Sequence, residues 1–264
     1  MERDLRGIGV LVTRPAHQAD TLVQLIEQAG GEAIRFPVLE ILDPTDPTPL
    51  LALIDRLDDF DLAVFVSPNA VARTAGLIGE RLGGLPTGLS IATVGKGSAR
   101  EVRRLLGREP DFCPPNRFDS EALLALPGLA EMSGRRVVIF RGEGGREHLA
   151  ATLRERGAEV SYAAVYRRAR PAADSGALLQ RWERGEIDVA AVTSGDGLRN
   201  LHEMVGARGR QWLRQTPIVT VSHRVASIAR ELGITAPVLV AADAADSALI
   251  DTLTEWTATR GEPK

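Results

Sequence analysis

Residues 135–168 read RRVVIFRGEGGREHLAATLRERGAEVSYAAVYRR, and this stretch carries the pattern strand, glycine turn, helix, strand. Val137 to Phe140 is a short apolar run rich in β-branched residues, bounded by the turn Arg141-Gly142-Glu143-Gly144-Gly145-Arg146. Leu149 and Leu153 give the following segment an i, i+4 apolar face, which predicts a helix. Gly157 ends it, since glycine alone enters the left-handed C′ conformation without a Cβ penalty. Val160 to Tyr166 then reads as the second strand.

The same unit stands near the start of the chain. Ile8 to Thr13 is a strand, Arg14-Pro15 a turn, Leu22, Leu25, Ile26 and Ala29 a helix face, Gly30 the stop and Ala33 to Leu39 the next strand. Arg14 corresponds to Arg141, Gly30 to Gly157, Asp61 to Asp188, Ser67 to Ser194 and Gly95 to Ser222, and the offset is 127 in every pair (141 − 14 for the first). A constant offset over five landmarks argues for duplication, with a period far too long for a solenoid. Two similar α/β halves facing each other across a cleft are expected.

Between the landmarks the alternation continues. Asp43 to Pro49 is a proline-rich turn excluded from helix and central strand. Leu50 to Leu57 reads as a helix, and Leu62 to Val66 and Ile91 to Val94 as buried strands. Ser120 is a candidate cap for a helix over Glu121 to Ala125. In the second copy Ser175 begins a helix through Trp182, Val189 to Val192 and Pro217 to Val221 are strands, and Val238 to Val240 with a helix over Ser247 to Thr257 close the chain. Met1 to Gly7 is a charged lead-in and the tail is polar. Strands alternating with helices predict doubly wound parallel sheets, whose ligands bind at the carboxyl ends of the strands. Those ends carry Arg14, Ser67, Gly95, Arg141, Ser194 and Ser222.

Composition narrows the functional classes. The 264 residues allow two ordinary domains, and 44% hydrophobic with only 4% aromatic residues suits aliphatic parallel sheets covered by helices. A net charge of −3, with 32 Lys and Arg against 35 Asp and Glu, argues against a nucleic-acid binder. The single cysteine, Cys113, excludes an internal disulfide and reads as a structural residue of a cytoplasmic protein. Neither a signal peptide nor an apolar run of about 18 residues is present, so a soluble protein away from membranes is expected. His17, His148, His202 and His223 lack metal-ligand spacing, no phosphate-binding fingerprint occurs, and no G-x-S-x-G elbow is found, so neither metal nor cofactor is expected.

What remains is chemistry at the strand ends. Gly95-Lys96-Gly97-Ser98 opens a helix, where unsatisfied N–H groups favour carboxylates or phosphates, although a plain strand-to-helix turn has the same composition. Since the strand ends are polar but rarely basic, ligand carboxylates are expected mostly on N–H groups and hydroxyls at Gly95 to Ser98, Ser67 and Ser194, with few arginines. Tyr166 ends an apolar strand ahead of Arg167-Arg168, which fits either an aromatic packed at a sheet edge or a functional phenol.

Taken together, the chain resembles the uroporphyrinogen-III synthase family over essentially its whole length. The resemblance rests on Val12-Thr13-Arg14-Pro15, Phe65-Val66-Ser67-Pro68-Asn69-Ala70-Val71, Val94-Gly95 with Ser98-Ala99, Arg141-Gly142 with Gly145-Arg146, Gly157-Ala158, Val165-Tyr166 and Thr193-Ser194. It implies two doubly wound α/β domains joined by a two-stranded antiparallel linker. The first domain takes residues 1–36 and 172–264, the second residues 42–162, and the connecting strands 37–41 and 163–171.

The activity implied is cofactor-free cyclisation of hydroxymethylbilane, a linear tetrapyrrole with eight carboxylates, with loss of water and inversion of the last ring. Tyr166 matches the family's functional tyrosine, and Ser67, Ser98 and Ser194 match its cleft hydroxyls. Arg14, Asn69, Gly95, Lys96, Gly97, Arg141, Gly142, Arg146 and Ser222 complete the expected substrate contacts. The family pattern breaks at Ser222-His223-Arg224-Val225-Ala226, where the fourth hydroxyl position falls on Val225. A monomer is expected, and a transient contact with the preceding pathway enzyme is left open. Competing readings are a non-catalytic two-lobed binding or sensor protein and a two-domain nucleotide-sugar transferase.

Overall fold

The structure, a computed structural model, describes residues 3–260; the polar tail beyond Arg260 and the first two residues lie outside it. In chain order the first elements are β1 (Gly9–Val12), α1 (Ala16–Gln28), β2 (Glu32–Arg35), β3 (Glu40–Leu42), α2 (Thr48–Ile54), β4 (Leu62–Phe65), α3 (Pro68–Leu82), β5 (Ser90–Thr93) and α4 (Lys96–Leu106). There follow α5 (Ser120–Leu124), β6 (Arg136–Gly142), α6 (His148–Glu155), β7 (Glu159–Ala169), α7 (Gly176–Glu183) and β8 (Val189–Ala191). The chain ends with α8 (Gly195–Met204), α9 (Gly206–Leu213), β9 (Ile218–Thr220), α10 (His223–Glu231), β10 (Val238–Val240) and α11 (Asp246–Arg260). It forms two compact units, Met1–Glu40 with Ala169–Lys264, and Ile41–Arg168.

In the first unit the strand order is β10-β9-β8-β1-β2, with β1 parallel to both β2 and β8. Strand alternation sends Val10 and Val12 to a core layer with α1 and α11, and Leu11 to the opposite layer with α8 and α10. Both faces are covered, which is why these strands are continuous apolar runs. In the second unit the order is β3-β7-β6-β4-β5, with β4 parallel to β5 and β6, and β6 parallel to β7. Here Val137 and Ile139 face one layer and Val138 and Phe140 the other, where Phe140 stacks on Phe65 at 4.9 Å.

The duplication is real in three dimensions, but its two copies interleave. The βαβ unit β1-α1-β2 of the first copy is completed by β8 and β9 of the second, while β6-α6-β7 of the second copy is completed by β4 and β5 of the first. The equivalent aspartates close these joints. Asp61 Oδ2 accepts from the Arg136 N–H at 2.7 Å and its own N–H donates to the Arg136 carbonyl at 2.9 Å. Asp188 does the same to Gly9, at 2.9 Å in both directions. Asp61→Ala is expected to lower the stability of the second unit by about 1–2 kcal/mol, the worth of a hydrogen bond to a carboxylate that is partly exposed. A urea midpoint unchanged from wild type would show that the backbone ladder alone holds the joint.

Several local expectations need correction. Thr48 and Pro49 lie inside α2, because proline is tolerated in a first helical turn, where its missing N–H has no partner to lose. The cap of α5 is Asp119, whose Oδ1 accepts from the Ala122 N–H at 2.8 Å, and Ser120 is the first helical residue. β2 stops at Arg35 rather than Leu39, although the N–H groups of Phe36 and Val38 continue to bond Val12 and Thr13 on either side of Pro37, which has none to give. β6 runs on into the glycine turn as far as Gly142. The separate helix α9 was not legible in the pattern.

Candidate functional site

In each unit two neighbouring strands lead off to opposite sides of the sheet, and such a switch point leaves a crevice at the strands' carboxyl ends. In the second unit the switch lies between β4 and β6, since β4-α3-β5 proceeds to one side and β6-α6-β7 to the other. Ser67 follows β4, Gly95 follows β5, Arg141 and Gly142 end β6, and Tyr166 lies on β7.

Tyr166 reaches the switch point because of two local features. The β6–β7 register slips between Arg141 and Gly142, so that Arg141 opposes Ala164 and Gly142 opposes Tyr166. The extra residue breaks the alternation, and Val165 and Tyr166 are both buried in consecutive positions. Gly142 then lets the ring pass over β6. A Cβ there would stand 2.5 Å from Tyr166 Cε2 and 2.9 Å from Cζ, closer than non-bonded carbons approach. Beyond Gly142 the phenol oxygen meets Ser67 Oγ at 3.1 Å. Tyr166 is 1% exposed and packs with the core residues Phe65, Phe140 and Val165, so the phenol is more enclosed than a cleft-facing group. Tyr166 is also among the residues that line a cavity.

That cavity, of about 250 Å³, is bounded by the turn Gly142–Arg146, by Val66, Ile139 and Leu149 beneath, and by Tyr162, Tyr166 and Arg168 along β7. Arg141 builds the turn rather than facing outward. Its side chain is 9% exposed. It donates to the carbonyls of Gly144 and Arg146 and to Glu147 Oε1, and it stacks on the Tyr162 ring at 4.7 Å. Gly145, at φ +111°, has no room for a side chain, since a Cβ would meet the Arg141 guanidinium at 2.6 Å. Glu143 reaches away to the Thr45 N–H and hydroxyl.

Glu147 links the cluster, accepting from the Tyr162 hydroxyl at 2.5 Å. That bond, followed by Arg141, holds the Glu147 carboxyl below its usual range, while burial and the same carboxylate push the Tyr162 phenol up. A depressed carboxyl contributes stability above its unfolded pKa of about 4.3, and the contribution is lost as pH falls through the lower folded value. Wild type is therefore expected to exceed Glu147→Gln in denaturation midpoint at neutral pH, with the gap closing on acidification below about pH 4. A gap independent of pH would assign the difference to packing.

The remaining expected residues are distributed over both units. In the second, Asn69 lies in the first turn of α3, and Gly95 caps α4 with no side-chain bond, leaving the first N–H groups at Lys96, Gly97 and Ser98. Lys96 is exposed and sits 5.1 Å above the exposed Phe118 ring, whereas Ser98 is 3% exposed. Arg146 is exposed beside the cavity, 3.9 Å from Glu121. In the first unit Arg14 is drawn to Asp246 and Thr193. Ser194 caps α8 through the Gly197 N–H at 3.0 Å, and Ser222 precedes α10 without a side-chain cap. Val225 is core, 1% exposed, so no hydroxyl is offered at the position where the family pattern breaks.

Tyr162, Glu147 and Arg168 were not singled out from the sequence. Arg168 was accessible to it, lying two residues beyond Tyr166 on one strand; its guanidinium stands 5.9 Å from the Tyr166 ring centroid. Tyr162 and Glu147 meet only through the fold. With Arg146 and Arg168 at its edge, the cavity is more cationic than the strand-end residues suggested. Among the described residues no group of three or more His, Cys, Asp or Glu side chains is placed to hold a metal ion, and no helix is long and apolar enough to cross a membrane.

Comparison with known proteins adds a family. The family model described as uroporphyrinogen-III synthase HemD matches residues 20–251. The uroporphyrinogen-III synthase of Escherichia coli (strain K12) is 33% identical over 228 residues, covering 86% of this chain and 92% of its own. A putative uroporphyrinogen-III synthase of Methanothermobacter thermautotrophicus is 32% identical over 85% of this chain and 90% of its own. Among solved structures, a mutant uroporphyrinogen III synthase of the extremely thermophilic bacterium Thermus thermophilus superposes with a TM-score of 0.62 at 20% identity, covering 97% of this chain and 100% of that one. The uroporphyrinogen-III synthetase of Helicobacter pylori 26695 gives 0.57 at 13% identity over 94% and 99%. At those identities the two structures speak for the fold.

Proposed function

The chain belongs to the uroporphyrinogen-III synthase family, and from that premise we infer that it is a lyase of tetrapyrrole biosynthesis, closing hydroxymethylbilane to uroporphyrinogen III with loss of water and inversion of the last ring. The observation that carries the reading into this structure is the Tyr166 phenol, passed over Gly142 to the switch point beside a cavity edged with arginines.

The chemistry asks little of the protein beyond position and proton management. Loss of the terminal hydroxyl is driven by the electron-rich pyrrole and leaves an electrophilic azafulvene, which the far pyrrole attacks through a spiro intermediate that then fragments and recloses. A phenol at the departing oxygen lowers the barrier as a general acid, and enclosure keeps water from the azafulvene. The substrate's carboxylates find Arg146 and Arg168 at the cavity and the open N–H groups of Lys96, Gly97 and Ser98 at the start of α4. Asn69, in the first turn of α3, is a further candidate contact. No second subunit or cofactor enters this scheme, which is that of a monomeric cytoplasmic enzyme.

The test is conversion of hydroxymethylbilane, which closes unaided to the non-inverted isomer. Purified protein is expected to divert it to the inverted isomer. If the isomer ratio with enzyme equals that of the spontaneous reaction, the assignment fails.

A further inference from the structure

Ser67 occupies two hydrogen-bonding roles at once. Its Oγ caps α3, accepting from the Ala70 N–H at 3.2 Å, and lies 3.1 Å from the Tyr166 phenol oxygen. A serine hydroxyl has one proton to give and two lone pairs. With one lone pair committed to an N–H at the positive end of α3, the hydroxyl is polarised toward donating its own proton, and the 3.1 Å contact with the phenol admits either oxygen as donor. We propose that Ser67 is a positioning residue that donates its proton to Tyr166, so that the phenol proton points away from Ser67 toward the departing hydroxyl of the substrate. The inference rests on the proposed reaction and on Tyr166 serving as its acid.

The proton accounting closes without another reactant. As the substrate C–O bond breaks, the Tyr166 proton passes to the leaving oxygen and water departs. The phenolate left behind is held by the Ser67 O–H and, through it, by the α3 N-terminus. The proton that the attacking pyrrole releases on ring closure restores the phenol. Ser67 thus never needs to touch the substrate, which changes its expected role from substrate contact to support of the acid.

The duplication supplies an internal comparison. Ser194, 127 positions further on, caps α8 in the same way through the Gly197 N–H at 3.0 Å, but the position equivalent to Tyr166 in the other copy is Leu39. The capping function is therefore common to both serines, and the phenol contact belongs to Ser67.

The test is a double-mutant cycle on kcat and KM with Ser67→Ala, Tyr166→Phe and the pair, in the full-length protein. Ser67→Ala is expected to lower kcat roughly tenfold, about the worth of one hydrogen bond to a developing charge, with little change in KM. In the Tyr166→Phe background it should lower kcat no further. Ser67→Thr should restore kcat. Ser67→Gly, which keeps a good helix cap while removing the hydroxyl, should behave as alanine does if the latter folds poorly. Denaturation midpoints should fall for both Ser67→Ala and Ser194→Ala, since each loses a cap, and further for Ser67→Ala, which also loses the bond to Tyr166.

Multiplicative effects of the two substitutions, or a rise in KM alone, would make Ser67 an independent substrate contact and overturn the inference. So would an unchanged kcat in Ser67→Gly. A wild-type protein without inverted product would instead refute the assigned reaction, and full activity of Tyr166→Phe would refute its acid.

Discussion

Tyr166→Phe is expected to lower kcat by about 10²-fold, at the lower end of what general acid assistance contributes, because the electron-rich pyrrole already expels hydroxide unaided. Substrate held longer on the enzyme, or released from it, closes by itself, so the fraction of non-inverted isomer should rise as the rate falls. The enclosed position of the phenol adds a second consequence. Removing its hydroxyl deletes the bond to Ser67, so stability should fall by about 1 kcal/mol. Rate, isomer ratio and urea midpoint measured on one preparation separate the two effects. A variant with the wild-type rate and isomer ratio but a lowered midpoint would make Tyr166 a packing residue.

Gly142→Ala is expected to be nearly as damaging although the glycine carries no functional group. A Cβ at 2.5 Å from the Tyr166 ring cannot be accommodated without moving that ring, and the ring is packed among Phe65, Phe140 and Val165. Overpacking of this kind costs about 1–3 kcal/mol. The displaced phenol loses Ser67, so kcat should fall toward the level of Tyr166→Phe. Combining Gly142→Ala with Tyr166→Phe distinguishes the two costs. The phenylalanine ring still collides, so the stability loss should remain, whereas the kinetic loss should no longer appear because the hydroxyl is already gone. If Gly142→Ala has the wild-type midpoint and rate, the β6 end yields more easily than the contact implies.

The βαβ units, the glycine stops and the strand ends were legible in the sequence because each depends on residues close together in the chain. Apolar runs with flanking glycines define buried parallel strands, i, i+4 leucines define helix faces, and Gly30 and Gly157, at φ +84° and +90°, end their helices in the conformation that favours glycine. The offset of 127 identified Asp61 with Asp188 and Ser67 with Ser194, and the order of short motifs pointed to the family and to Tyr166. Local pattern could not say what these pairs do. The aspartates bind backbone supplied by the other repeat copy, and that exchange is a choice of strand neighbours, which periodicity does not encode. Arg141 and Arg146 look alike five residues apart, yet one is folded inward to hold the Gly144-Gly145 turn and the other faces out beside the cavity. The bulge that buries Val165 and Tyr166 in succession, and the passage of the phenol over Gly142 to Ser67, were decided by tertiary structure alone, because each is a contact between strands whose register is set by packing across the whole sheet.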